Sequence, residues 1–376
     1  MVYCYHTETG GIRMFADYQN GLVNLSASIL KSFGVEPVHP TLPQMDALLA
    51  RPFSNVVVIL LDGMGADTVR SLLPPDGFFN THMEGVLSSV FPPTTTAATI
   101  ALMAGRMPCE TGWLGWKQYF PALDRIVVPF TNTDYYTKEP ITACHAASTY
   151  IPWDSIFDAI DGAGVGRAYH VSPFGKTRTD TFDAWLHSIR SICAAEGRKF
   201  VYAYWEEPDS VMHQTGCRSA QTAAELRRLE AAVAALAKML EDTLLIVTAD
   251  HGHRDTTYYS LEDYPEIREM LVRPTSLEHR AVVFYVRDED RARFPAAFRR
   301  AFGADFLLFT KAEVLEKQLF GPGAHHPLFE TFIGDFLAVS VSDKGIVESR
   351  ACRQFRSNHA GMTREEMEIP WIVVRR

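Results

Sequence analysis

The apolar positions of this chain fall into two patterns that alternate along it. One is the short unbroken run: Asn55–Leu61 (NVVVILL) and Thr243–Thr248 (TLLIVT) are apolar on successive residues rather than on every second one. A strand reads this way when both of its faces are covered, as in a parallel sheet between layers of helix. Gly85–Val90, Gly166–Ser172 and Phe200–Trp205 are further strand candidates. The other pattern has the helical period. Leu22, Leu25, Ile29 and Phe33 share one face of a helix expected over Tyr18–Phe33, which Gly34 ends. Thr95–Met103, Asp154–Gly162, Thr181–Ala195 and the long Ala220–Glu241 read as helices too. Strands alternating with helices predict an α/β fold with a mostly parallel sheet and helices on both faces.

After His253 the pattern changes. Arg254–Glu278 is charged and loop-rich, and Arg280–Val286, Glu289–Phe302, Phe306–Thr310 and Lys311–Leu319 then read as strand, helix, strand, helix. Residues 255–334 are therefore expected to form a small inserted α+β cap subdomain. Residues 1–254 and 335–376 make the core, with strands returning at Phe336–Val341 and Trp371–Val374.

Composition adds exclusions. The net charge of −9 argues against a partner such as a nucleic-acid polymer, whose phosphates need dense Lys and Arg, but not against a small phosphorylated substrate at a local metal centre. The six cysteines show no C-x-x-C spacing, which fits a reducing compartment and gives no thiolate metal site. The first twenty residues lack an apolar leader, and the longest clean apolar run, Val56–Leu61, is too short to span a bilayer. A cytoplasmic protein with no membrane partner is expected.

Ligands of open α/β sheets bind beyond the carboxyl ends of the strands, so the residues placed there carry the candidate chemistry. Asp62 follows the first run. Asp209 and His213 lie in EEPDSVMH after Phe200–Trp205. Asp250 and His251 follow Thr243–Thr248, and His359 stands in SNHAG before the last strand. Asp209 and His213 are four apart, which places them on one face of a helix. Each element alone has an ordinary role as a turn, cap or surface residue. Three Asp and three His recurring at strand ends instead suit a metal site, with mixed oxygen and nitrogen donors pointing to zinc or manganese. Residues 91–99, FPPTTTAAT, then acquire a meaning beyond helix capping. A threonine hydroxyl becomes a useful nucleophile when a metal or base lowers its pKa, and a helix N-terminus favours phosphate.

These motifs, in this order, resemble the alkaline phosphatase superfamily, and within it the nucleotide pyrophosphatase/phosphodiesterase-like (type I phosphodiesterase) branch. The resemblance rests on DG at 62–63, FPPTT at 91–95 with the run closing at Ala104-Gly105, EEPDSVMH at 206–213, ADHG at 249–252 and NHAG at 358–361. It implies an alkaline-phosphatase-like sheet and two zinc ions. One ion would sit on Asp209, His213 and His359; the other on Asp62, Asp250, His251 and the nucleophile. That nucleophile lies ten residues before the closing glycine, which is Thr95, leaving Thr94 and Thr96 as cap or packing residues. The implied reaction is hydrolysis of phosphate diesters through a phosphothreonine. A phosphomonoesterase, or a phosphonate or sulfate ester hydrolase, is the alternative on the same site. A silent zinc protein binding a phosphorylated ligand is the alternative of another class. The resemblance also implies an Asn three residues after the nucleophile, where this chain has Ala98; Arg106, Lys117, Lys176 and Arg178 are the cations that can substitute, though each is commonly a surface charge. Trp113, Trp116, Tyr119 and Phe120 are candidates for a pocket wall or for core, and His253 for a support of His251 or a solvated loop residue. GAGVG at 162–166 follows a helix and precedes a strand, so it reads as a helix stop rather than a dinucleotide loop.

Overall fold

The computed structural model describes residues 4–6, 12–352 and 354–376. A seven-stranded sheet organises the chain. Its strands are β1 (Asn55–Leu61), β2 (Met83–Ser88), β3 (Arg167–Ser172), β4 (Thr177–Arg178), β5 (Lys199–Trp205), β6 (Thr243–Thr248) and β7 (Glu368–Arg375). They lie in the order β2-β7-β6-β1-β5-β3-β4. The pairs on either side of β1 are parallel, and so are β5 with β3 and β3 with β4. β7 alone runs antiparallel to both of its neighbours. The sheet is thus mostly parallel, as the unbroken apolar runs require: every residue of β1 and of β6 is buried.

Helices flank this sheet in two groups. α1 (Leu22–Ser32), α2 (Thr95–Ala104) and α3 (Ile156–Ala163) pack on one another. α4 (Phe182–Ala194) packs on β5 and β3 and on α6 (Ala220–Met239), with the short α5 (Asp209–Thr215) preceding α6. Element boundaries move by a few residues from the pattern-based ranges. β2 begins two residues earlier than its expected start, and α1 starts at Leu22, where Asn24 accepts the backbone N–H of Gly21. Gly164, at φ 71°, ends α3.

A second, antiparallel sheet is built from Ser276–Leu277, Ala281–Phe284, Phe336–Ser340 and Phe306–Thr310, in that spatial order. Its two faces serve two cores. Val283, Leu337, Val339 and Phe309 join the main core, whereas Val282, Phe284, Phe306, Phe336 and Ala338 pack on helix α7 (Phe294–Phe302). The strand period of two is what lets one thin sheet join both.

The register of the large sheet positions the functional end of the molecule. Trp205 pairs with Leu61 and Thr248 with Leu60, so Asp62, the turn at 206–209 and Asp250 all leave the sheet at one edge. At the opposite end Asn55 ties β1 to α4 and to the start of β6: its Nδ2 donates toward Cys193 O, Glu241 O and Thr243 Oγ1.

Candidate two-metal active site

At that edge the structure brings together all seven residues singled out in the sequence. Thr95 is the first residue of α2. Its Oγ1 lies 3.1 Å from His251 Nε2 and 3.4 Å from each oxygen of Asp62. His251 Nε2 is in turn 3.4 Å from Asp62 Oδ1 and 3.4 Å from Asp250 Oδ2. On the other side Asp209 Oδ1 is 3.4 Å from His213 Nε2 and 4.0 Å from His359 Nε2. The rings of His251 and His359 stack with centroids 3.9 Å apart, so the two groups adjoin.

A further residue belongs here. His253 Nε2 lies 2.5 Å from Asp209 Oδ1, and the side chain is buried. Its signal in the sequence was its place two residues from His251 in the same loop after a strand. Gly63 makes the close approach possible: it has φ +72°, and a Cβ there would meet His253 Cδ2 at 2.9 Å.

The imidazoles are aimed. Nδ1 of His213 faces Ser357 O at 2.8 Å, that of His251 Gly252 O at 3.1 Å, and that of His359 Pro93 O at 3.2 Å. Each Nδ1 thus donates to a carbonyl, leaving Nε2 as a lone-pair donor toward the centre, the usual arrangement of metal-binding histidines. For His253 the partner is Ser357 Oγ, which donates its own hydrogen to Met212 O and so accepts from Nδ1.

The electrostatics call for cations. Asp62, Asp209 and Asp250 gather here, and among the described residues no Lys or Arg is within ion-pair distance of any of them. Unpaired buried carboxylates are costly. Burial, and then the charges of Asp250 and Asp209, push the Asp62 carboxyl well above the usual range. Burial acts on Asp209 in the same sense, yet its histidine neighbours, His213 and His253 first, hold it below that range. Burial lowers His253 to about 4 and, with the neighbouring rings, holds His359 well below its ordinary value. Asp250 Oδ1 accepts the N–H groups of Gly63 and His251, but Oδ2 is buried with no hydrogen-bond partner. An orphaned carboxylate oxygen and a neutral imidazole nitrogen facing a carboxylate at 2.5 Å are what a divalent cation would satisfy. Asp62, Asp250 and His251 form one donor cluster; Asp209, His251, His253 and His359 form the other, with His213 beside Asp209. The residues fit metal ions.

The remaining sequence candidates divide. Ala98 is fully buried on α2, three residues after Thr95. Thr96 is buried too, and the Thr94 hydroxyl donates to Glu278 Oε1 at 2.7 Å. Arg106, Lys176 and Arg178 pair with Glu110, Asp158 and Asp180 away from the centre. Lys117 differs: it is buried and lines a cavity of about 770 Å3 together with Thr95, Asp209, His213 and His359. Trp116 is 42% exposed and lines this cavity and a second, more apolar one of about 380 Å3 beside Asp62 and Tyr204; Trp113, Tyr119 and Phe120 are core. Sequence reasoning missed Tyr204, whose hydroxyl donates to Asp62 Oδ2, and Glu278, which arrives from the second sheet.

The structure thus has the mostly parallel sheet, the Asp and His at its strand ends and the helix-terminal hydroxyl among them that the sequence motifs led one to expect. Residues 56–302 match the type I phosphodiesterase/nucleotide pyrophosphatase family, and the chain belongs to it. Ectonucleotide pyrophosphatase/phosphodiesterase family member 3 of Rattus norvegicus is 28% identical over 240 residues, which cover 56% of this chain and 27% of that protein. The chain therefore spans about a quarter of that relative's length. Among solved structures, murine ectonucleotide pyrophosphatase/phosphodiesterase 5 aligns with a TM-score of 0.65 at 18% identity, over 84% of this chain and 87% of that one. Phosphonoacetate hydrolase from Sinorhizobium meliloti 1021, in complex with phosphonoacetate, aligns with a TM-score of 0.63 at 17% identity, over 85% and 89%. These two likenesses are of fold.

Proposed function

We propose that the chain is a two-metal hydrolase of phosphate diesters or pyrophosphates, with Thr95 as its nucleophile. One observation carries the reading: the Thr95 hydroxyl lies at the N-terminus of α2, 3.1 Å from His251 Nε2 and 3.4 Å from both Asp62 oxygens. Asp62, Asp250 and His251 would hold one ion with Thr95. Asp209, His213 and His359 would hold the other, with His253 as a further donor. Zinc is the favoured ion for so mixed a donor set, and manganese the alternative. When bound, such ions supply positive charge that lowers hydroxyl and water pKa values and offsets charge on the phosphoryl oxygens.

The protein's own part follows from its geometry. Asp62 orients the Thr95 hydroxyl and draws off its proton. The Thr95 Oγ–P bond forms as the bond from phosphorus to the leaving oxygen breaks. The first-turn amides of α2 have no intrahelical partners and favour the anionic phosphoryl group. Water then cleaves the phosphothreonine on the side of Asp209, His213 and His359, restoring the hydroxyl. Residues 255–334 are read as a cap, since Leu277, Glu278 and His279 wall the larger cavity, but the strand Phe336–Ser340, expected in the core, belongs to the same second sheet.

The test is hydrolysis of bis-p-nitrophenyl phosphate and of p-nitrophenyl phosphate with zinc added, for the natural chain and Thr95→Ala. The diester is expected to be cleaved faster, and the variant to lose about 10³-fold or more of kcat. Faster monoester cleavage would move the reading to a phosphomonoesterase. Full turnover by a metal-loaded Thr95→Ala protein would remove Thr95 from the chemistry.

A further inference from the structure

Thr94 stands at the start of α2 without acting as its cap. A serine or threonine in that place usually accepts one of the orphan N–H groups of the first turn. Ser155, Thr181 and Ser219 do so at the starts of α3, α4 and α6, each accepting the N–H three residues on. Thr94 has the extended backbone of a cap, with φ −142° and ψ 146°, yet its side chain accepts nothing from the helix. The hydroxyl instead donates to Glu278 Oε1 at 2.7 Å. A hydroxyl can donate and accept together, so the rotamer decides: held against Glu278, the oxygen is turned from the Ala97 N–H. The first bond of the helix runs from Ala98 N–H to Thr94 O at 2.9 Å. The N–H groups of Thr95, Thr96 and Ala97 have no acceptor among the described residues.

Glu278 reaches this helix because the second sheet carries it there. It is buried, in the turn between Ser276–Leu277 and Ala281–Phe284, and its N–H closes that turn on Ala281 O. Next to it the backbones of Leu277 and Lys117 bond in both directions. Gly115 allows the approach, because a Cβ there would meet the Leu277 backbone at 3.1 Å. Glu278 Oε1 also accepts the Trp116 N–H at 2.7 Å, so one oxygen ties the 115–117 segment to Thr94. Glu348, a further carboxylate on the wall of the larger cavity, is taken by Thr275 and Tyr136 instead. On either side of Thr94, Pro93 O accepts from the His359 ring and Thr95 Oγ1 faces Asp62 and His251. Residues 93–95 are thus each held from a different part of the chain.

We infer that Glu278 is a positioning residue for the reaction at Thr95: by holding the Thr94 hydroxyl off α2, it keeps the first-turn amides uncapped, so that they meet a phosphoryl oxygen instead. This rests on the proposed function for the identity of the anion. The helix forgoes a cap of its own, and its unmet N–H groups and positive dipole end are left for an anion beside Thr95. Glu278 acts through Thr94 and not on the reacting atoms.

Binding of inorganic phosphate to the zinc-loaded protein, measured by calorimetry at matched zinc content, tests it apart from turnover. In Glu278→Ala the Thr94 hydroxyl is free to turn and accept the Ala97 N–H, and phosphate should bind about 10-fold more weakly. With Thr94→Val added no hydroxyl remains to cap the helix, and binding should return to within about 3-fold of the natural chain. Glu278→Gln keeps an acceptor oxygen and should also stay within about 3-fold. A merely structural role predicts losses that add. A double variant as weak as Glu278→Ala, or a Glu278→Ala protein that binds phosphate like the natural chain, therefore overturns the inference. Hydrogen exchange on the natural chain reads the same point without any substitution. The amides of Thr95, Thr96 and Ala97 should exchange as unbonded groups without anion and gain about 10-fold protection with phosphate; protection already present without it overturns the inference. Full turnover by Thr95→Ala with the phosphate pattern intact would remove the proposed function and leave the uncapped helix standing. Loss of turnover in Thr95→Ala with no such pattern would do the reverse.

Discussion

The balance of charge at the strand ends makes metal removal a quantitative prediction. Asp62, Asp209 and Asp250 have no Lys or Arg partner among the described residues. An ion present at about 1,000 times its dissociation constant stabilises the folded state by about 4.1 kcal/mol, so two give about 8. With roughly 2.1 cal/mol/K of unfolding entropy per residue, 376 residues give about 0.8 kcal/mol/K, and 1 kcal/mol moves Tm by about 1.3 °C. Stripping both ions should therefore lower Tm by about 10 °C. Asp62→Asn sharpens the test. In the stripped protein it removes a carboxylate from beside two others while keeping an acceptor for Tyr204, and relief of an unmatched buried group, about 1–3 kcal/mol, should raise Tm. In the zinc-loaded protein the same change forfeits one ion, leaving a metal-dependent shift of about 5 °C. The two effects have opposite signs, and scanning calorimetry with and without chelator reads both. If Asp62→Asn lowers the Tm of the stripped protein and leaves the metal shift intact, the cluster is a hydrogen-bonded polar network and not a metal centre.

Other outcomes follow from neighbouring features. His253→Ala should weaken metal affinity about 10- to 100-fold, read by competition with a chromogenic chelator, because it removes a nitrogen 2.5 Å from Asp209. Arg280→Met should cost about 3–5 kcal/mol in urea unfolding, since Arg280 Nε and Nη2 bind both oxygens of the fully buried Glu366 and the change strands that carboxylate. Burial opposes the ionised form of Glu366, yet Arg280 holds its pKa below the ordinary value. The unfolded chain therefore takes up the proton first as pH falls. Stability from this pair should be complete above the usual glutamate pKa of about 4.3 and decline below it, a slope that Arg280→Met abolishes.

The pattern of apolar runs was enough to place β1 and β6 to the residue and to order the strands and helices around them. That follows from local physics: a strand covered on both faces cannot carry polar residues, so its length is written in its composition. The motif residues were legible for a related reason. Each sits within a few residues of a strand end or in the first two turns of a helix, where chain geometry offers one end of the sheet.

What depends on packing was less legible. Trp113, Tyr119 and Phe120 could not be separated from Trp116 by sequence, because all four are apolar and clustered; only the fold buries three and leaves the fourth at the cavity. Lys117 was one of four equivalent cations until the backbone pairing with Leu277 fixed it inward, while the other three found carboxylates elsewhere. Glu278 and Glu348 gave no signal, since both come from distant segments.

The sequence by itself therefore determined the α/β alternation, the mostly parallel sheet and the Asp, His and Thr groups at its strand ends, since these are set by short-range periodicity and by the residues that adjoin a strand. Only the tertiary structure decided that His253 meets Asp209, that Tyr204 holds Asp62 and that Lys117 faces the cavity. Those contacts join residues far apart in the chain, and their partners are chosen by strand register and by the packing of the second sheet, which no local pattern encodes.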